Sequence, residues 1–466
     1  MALRVKTTIV LLFMLALYAW MPHHAFRSYN LRGHHVDQYN LLTDSFLKGH
    51  LYMPGEVPAG LLALPDPYDP NQNVKFRYSH GLWDQSLYDG HVYLYFGVTP
   101  VVTGYLPYRL LTGGMRLPNP LAVLVYTYGA FLFATGLLFS FRRRYFKQTP
   151  DWMLLAAVVL VGGADLGCYL LSQSNIYQVA IAAGMFFALG AIYCASRAFE
   201  PTRHRSLWFV ASGLCLAGAI GSRPHFAATG GLVFLVAIIA LWRRGERHVS
   251  RYAALALPSG LGVFLLGFYN WARFGSFFEF GAHYQLGIIN MTNTSMFGLD
   301  KVWSTLYFML IQPPTFNKTY PWVHPIPELP KWLVKPNNFL LERVVGILVG
   351  TPFLWVMLIA VVIYLVKRKT LTPRPFPKLE LAWLVISSGF LVALLSITTP
   401  TMRYLADFAG LVDILAVMAW FWADQTLVTS PRARTATRLV GVSLLVVSVV
   451  FGILFSLPPP FHYHDG

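Results

Sequence analysis

Charge is scarce in this 466-residue chain: Asp, Glu, Lys and Arg make up 12% of it, about half the share usual in soluble domains. That scarcity excludes an ordinary solvated surface. Acidic residues are the rarer sign, 20 against 36 Lys and Arg, yet the excess of base does not gather on any polar segment. It punctuates the ends of apolar runs, which argues against nucleic acid as a partner. Cysteine is almost missing. Cys168, Cys194 and Cys215 all lie inside apolar runs, so no disulfide framework is present and packing is their expected role. No glycine loop of the phosphate-cradling kind and no dinucleotide signature occurs either, which disfavours a nucleotide-linked substrate.

What the chain has is apolar length. Hydrophobic residues make up 56% and fall in uninterrupted runs of about 20, the length that crosses a bilayer as a helix. The fold class is therefore an all-α polytopic membrane protein in a single membrane domain. Eleven spans are expected, near 7–25, 119–141, 152–172, 177–196, 207–221, 226–242, 252–270, 345–366, 379–398, 404–423 and 439–457. The first resembles a signal sequence, but Met21-Pro22-His23-His24 offers no small residues to a peptidase, so an uncleaved span is expected. The fifth ends in Gly221-Ser222-Arg223-Pro224, and a shallow helical pair over 207–242 is an alternative to two full crossings.

With the amino terminus cytoplasmic, the inside connections are 142–151, 197–206, 243–251, 367–378 and 424–438. Together with the amino-terminal tail they hold 21 of the 36 Lys and Arg, the bias expected of cytoplasmic loops. Two long loops, 26–118 and 271–344, then face outward. The segment 93–111 is apolar, but Pro100, Gly104, Pro107 and Arg109 mark it as an interfacial helix rather than a crossing.

Polar chemistry concentrates in the first loop, where seven of the 20 acidic residues lie between Asp37 and Asp89. A helix is expected from Asp37 to its stop at Gly49. Asp37 and Asp44 stand seven residues apart, nearly two turns, so both carboxylates face one side and one polar cleft. Capping of that helix is the competing role for Asp37, and a solvated face is the competing role for Asp44.

These residues resemble the GT-C superfamily, multispan glycosyltransferases that take a sugar from a polyprenyl phosphate or diphosphate. The resemblance rests on an acid shortly after the first span, a helix ending in glycine, then an apolar residue and proline. Asp37, Gly49, Leu51 and Pro54 stand in those places. Farther on, Tyr88-Asp89-Gly90 through Phe96-Gly97-Val98-Thr99-Pro100 looks like the family's proline-containing interfacial helix. Gln38 stands where many relatives carry a second acid, and Val98-Thr99 where many carry a lysine before paired prolines. The likeness covers about the first 140 residues and the general span plan.

The resemblance implies that Asp37 is the general base, deprotonating an acceptor hydroxyl as it displaces a polyprenyl phosphate with inversion. The leaving phosphate needs cations, and Arg223 and Arg403 sit at outer span ends; topology signalling is the alternative role of the first. Arg403 and Asp407 are four residues apart, so a local ion pair on one helix face is the alternative for the second. Tyr39, Asp44, Tyr404 and Asp407 are candidate substrate contacts, joined by Glu279 and His283 from the aromatic-rich start of the second loop. Asp165 and Asp413 fall within spans, where pairing inside the bundle is expected.

The pairs His23-His24 and His34-His35, with His462 and His464, have no ligand spacing, and no metal or other cofactor is expected. The expected activity is transfer of a sugar from a polyprenyl-phosphate donor to a glycan, lipid or protein acceptor outside a bacterial inner membrane. A transporter or lipid flippase is the alternative, which requires charged or broken helices at membrane depth.

Overall fold

The computed structural model describes residues 2–23, 25, 26, 37–295, 297–318, 320–369 and 376–457. His24, His34, His35, His462 and His464 lie outside them. Ten helices among the described residues are long and apolar enough to cross a membrane. They are α1 (Leu3–Trp20), α6 (Asn119–Arg144), α7 with α8 (Asp151–Gly163 and Gly167–Gln173), α9 (Ile176–Ala198), α10 (Arg205–Ser222), α11 (Phe226–Arg243), α12 (Val249–Phe274), α16 (Lys378–Ser396), α17 (Met402–Thr426) and α18 (Pro431–Ser456). Helices α10 and α11 each run 18 residues, within the roughly 17–25 of a crossing.

The expected span at 345–366 is not one helix. It divides into α14 (Ile347–Gly350), a 3-10 turn (Pro352–Trp355) and α15 (Val356–Lys367), because Pro352 brings no N–H to continue α14. The Ser448 hydroxyl of α18 accepts the Phe353 N–H at 2.8 Å in compensation. The third span is interrupted as well, between Gly163 and Gly167.

Helix α9 packs between α6 and α10, and α17 packs against α16, α9 and α7. Helix α1 docks by one narrow stripe: Met14 and Tyr18 are buried, and the Tyr18 hydroxyl donates to the Gly162 carbonyl at 2.8 Å. Its other faces expose Ile9, Leu12 and Phe13, as suits a lipid-facing helix.

Contacts gather the basic connections at one end. Glu380, buried on α16, takes the Arg144 guanidinium at 2.9 Å and the Ser196 hydroxyl at 2.8 Å. Asp424 takes both Arg434 and Arg438, at 2.8 and 2.6 Å. Glu200 receives Arg143 at 2.9 Å and Glu246 receives Arg205 at 3.5 Å.

The two long loops meet at the opposite end. In the first, α2 (Gln38–Phe46), α3 (Ala59–Leu62), α4 (Pro70–His80), the hairpin β1–β2 (Gln85–Tyr88 and His91–Leu94) and α5 (Leu106–Leu111) follow in order. Helix α5 continues a π-helical turn over Val101–Tyr105, giving an 11-residue run too short to cross. The second loop holds α13 (Val302–Leu310) and a short hairpin, β3–β4 (Thr315–Phe316 and Val323–His324). The loops are stitched together: Leu286 N–H donates to the Gln85 carbonyl at 2.8 Å, and Ser86 Oγ donates to the Gly281 carbonyl at 2.8 Å. Met53, Leu61, Phe76, Leu87 and Leu286 make a small core of their own beneath this joint.

Candidate active site

Asp37 occupies the position before α2, yet its side chain makes no capping bond to that helix. The Asn40 amide donates to its Oδ2 at 2.6 Å. Asn40 is itself fixed by Leu117, donating to that carbonyl at 2.8 Å and accepting from that N–H at 3.2 Å. Asp37 is 1% exposed, so the carboxylate is held by a side chain locked to the start of α6. Capping, the competing role, is not what this side chain does.

Tyr39 stacks on Tyr105, ring centroids 5.1 Å apart. Its hydroxyl is buried without a hydrogen-bond partner among the described residues. Burial drives its pKa well above the ordinary tyrosine value, with Tyr126 adding to the rise and the positive charge of Arg223 opposing it. That opposition ties Tyr39 electrostatically to the next group.

Arg223 lies 3.4 Å from Asp407 Oδ2, and His225 Nε2 lies 3.1 Å from the same oxygen. Neither contact is an aligned hydrogen bond: both Asp407 oxygens and His225 Nε2 lack such a partner among the described residues. The Tyr404 ring carries the Arg223 guanidinium at 5.2 Å and that of Arg403 at 5.8 Å. Burial lowers the His225 pKa and Arg223 lowers it further, against the pull of Asp407. A buried carboxylate is thus shared by an arginine and a neutral histidine.

The Arg403–Asp407 ion pair, the alternative role of Arg403, does not form among the described contacts. Arg403 turns to Glu342 at 2.7 Å and lies over the Tyr177 ring at 4.5 Å. The Thr401 hydroxyl donates to the same Glu342 at 3.0 Å. Tyr177 in turn donates to Asp84, whose other oxygen accepts from Gln285 at 2.9 Å. The second loop supplies a nearer acid than the helix does, and Asp407 is taken by the turn before α11.

Asp44 is bound by Arg109 at 2.6 Å and Arg116 at 2.8 Å. It clamps α2 to the interfacial helix, so the single cleft expected for Asp37 and Asp44 is not formed by free carboxylates. Glu279 accepts the Gly281 N–H at 2.6 Å and shapes the loop, while its charge reaches Tyr95, which burial pushes up to about 12. His283 is exposed and meets only the edge of Tyr284 among described aromatic rings, at 5.5 Å. The structure does not bring it to Arg223 or Asp37.

Near Arg223 a small crevice opens between the 95–98 segment and the ends of α10 and α12. Its floor depends on glycine, since an added Cβ at Gly97 would run into the Gly221 and Ser222 carbonyls. Arg273 lines it, 5% exposed, donating to the Leu94 carbonyl at 3.0 Å and to Asn270 at 2.7 Å. Its Nε and the Tyr269 hydroxyl, also lining the crevice, are buried without partners among the described residues. His225, Glu342, Tyr177, Asp84 and Arg273 were missed in the sequence reading. The arginine carried a signal, standing in the aromatic run Asn270 to Phe274 at a span end.

No family model matches the sequence, and no curated protein does. Solved structures similar to it include the apo oligosaccharyltransferase of Archaeoglobus fulgidus, at 11% identity and TM-score 0.45, covering 97% of this chain and 56% of that one. The same archaeon's AglB, in complex with an inhibitory peptide and a dolichol-phosphate, gives 12% identity and 0.47, covering 98% and 56%. ArnT from Cupriavidus metallidurans bound to undecaprenyl phosphate gives 12% and 0.42, covering 90% and 74%. This chain thus spans little more than half the length of the two archaeal structures. All three similarities stay below a TM-score of 0.5, and they assign no residue of this chain a role.

Proposed function

We propose that this chain is an inverting membrane glycosyltransferase that moves a sugar from a polyprenyl-phosphate donor to a glycan, lipid or protein acceptor at the loop-bearing face. In this reading that face lies outside a bacterial inner membrane and the basic connections lie in the cytoplasm, as the positive-inside bias requires. The carrying observation is Asp37, a buried carboxylate excused from capping its own helix and aimed by Asn40. A general base needs that kind of fixed placement.

Asp37 accepts the proton of the acceptor hydroxyl as the oxygen attacks the anomeric carbon, and the carrier phosphate leaves with the bonding pair. Arg223, Arg403 and the crevice-lining Arg273 offer cations for that phosphate; buried, tightly held arginines suit planar anion recognition. Tyr95, which lines the crevice, offers a ring to the sugar. Asp407 and Glu342 keep the two arginines in place between turnovers.

The test is mass spectrometry of cell-surface glycans, lipids and proteins in a strain lacking the chain. A fixed sugar mass goes missing, wild type restores it, and Asp37→Asn restores roughly 10²- to 10⁴-fold less product. Full restoration by Asp37→Asn would overturn the reading.

One observation favours the transporter alternative: the third span is broken at Asp165, the kind of helix that reading requires. Substrate uptake into vesicles that continues unchanged with Asp37→Asn and stops with Asp165→Asn would favour it.

A further inference from the structure

The break in the third span carries a second polar centre, separate from the loop-end site. Asp165 sits in it, 7% exposed, with Oδ1 accepting the Leu166 N–H at 2.8 Å. An added Cβ at Gly410 of α17 would lie 3.3 Å from Asp165 Oδ2, so this carboxylate faces α17. One turn on, at Asp413, is a second carboxylate. It is 1% exposed, both its oxygens lack a hydrogen-bond partner among the described residues, and it is close enough to Asp165 for the two charges to interact. No Lys, Arg or His of the described residues is among the charges acting on either acid.

The break also frees backbone oxygens. Among the described residues no backbone N–H donates to the carbonyls of Ala164 or Asp165, although buried carbonyls are almost always paired. The Thr127 hydroxyl is 2% exposed and has no partner among the described residues, and its methyl group lies against Gly167 at the end of the break. Asp413 lies eleven residues into α17 from Met402, about 16 Å deep at 1.5 Å per residue, close to the middle of a ~30 Å hydrocarbon core.

We propose that Asp165, Asp413 and the free carbonyls of the break bind one small hard monovalent cation, sodium, which holds the interrupted span against α17. Two buried carboxylates with no basic partner must be neutralised, by a proton or by a bound cation. The donor set is all oxygen, and unwound carbonyls beside acids at membrane depth are a sodium-binding arrangement. The proposal does not rest on the transferase reading.

The full chain in detergent is compared in sodium chloride and in choline chloride at equal ionic strength. Sodium raises Tm by several degrees through preferential binding to the folded state, and Asp413→Asn and Asp165→Asn abolish the difference while keeping helicity by circular dichroism. Equilibrium dialysis of the wild-type chain with radioactive sodium, which needs no variant, finds one ion per chain. Equal Tm in both salts, a sodium effect that survives Asp413→Asn, or no bound sodium overturns the proposal. A stability that follows pH and ignores sodium also overturns it and identifies a shared proton instead.

Discussion

The Asn40 amide donates to Asp37 Oδ2 at 2.6 Å and to the Leu117 carbonyl at 2.8 Å, so one side chain couples the candidate base to the start of α6. Asn40→Ala removes the positioning bond and leaves the Leu117 groups buried without their partner. The expected stability loss is about 1–3 kcal/mol, read by thermal unfolding. Turnover falls about 10- to 100-fold with KM nearly unchanged, because an aimed base contributes to the reaction step more than to substrate binding. A loss carried wholly by KM would leave Asn40 as a binding residue and remove its positioning role.

Burial separates two ion pairs that look alike in sequence. Glu342 is 43% exposed and pairs with Arg403, whereas Glu380 is 1% exposed and holds Arg144. Glu342→Gln is expected to cost less than about 1 kcal/mol, because water screens the pair. Glu380→Gln removes the nearer of the two acids on Arg144, leaving Glu200 at 3.5 Å, and costs about 1.5–3 kcal/mol. Thermal unfolding of the two variants in one detergent compares them, and equal losses would contradict the burial argument.

The crossing helices were legible because apolar length and basic punctuation are local signals, and the interfacial run before α6 was marked by its own Pro and Gly residues. Pro352 was equally visible, yet apolar content alone cannot say that a proline will divide a run and that Ser448 from α18 will repair it. The break at Asp165 has no proline to announce it. At the candidate site, Asp37 was proposed through the resemblance, and Arg223, Tyr404 and Asp407 from their place at outer span ends. Their partners could not be named. Arg403 finds Glu342 rather than Asp407, and Tyr177 finds Asp84, through contacts between residues 61 and 93 positions apart. Pairings of that range follow from helix packing, which local sequence patterns do not encode.

His225 is buried and held below its ordinary value of 6.5, chiefly by burial. The folded chain therefore keeps this ring neutral while the unfolded chain takes up a proton near pH 6.5, so its contribution to stability is present above that pH and is lost as pH falls through the folded value. Melting curves from about pH 7 to about pH 5 should show Tm falling, and His225→Gln should flatten that part of the slope. An unchanged slope would place the titration on another group.

Gly97 offers the sharpest steric test, since the 95–98 segment meets the end of α10 with no room for a methyl group. Gly97→Ala drives a Cβ into the Gly221 and Ser222 carbonyls, which are backbone atoms and cannot rotate away. The segment must lift, at a cost of about 1–3 kcal/mol, and the crevice beside Arg223 and Arg273 changes shape with it. Donor KM is expected to rise about tenfold or more, while Gly113→Ala, at a glycine with nothing near its added Cβ but a φ of +68°, loses stability through backbone strain and leaves KM alone. If both variants lost stability alike and neither moved KM, the crevice would have no part in donor binding.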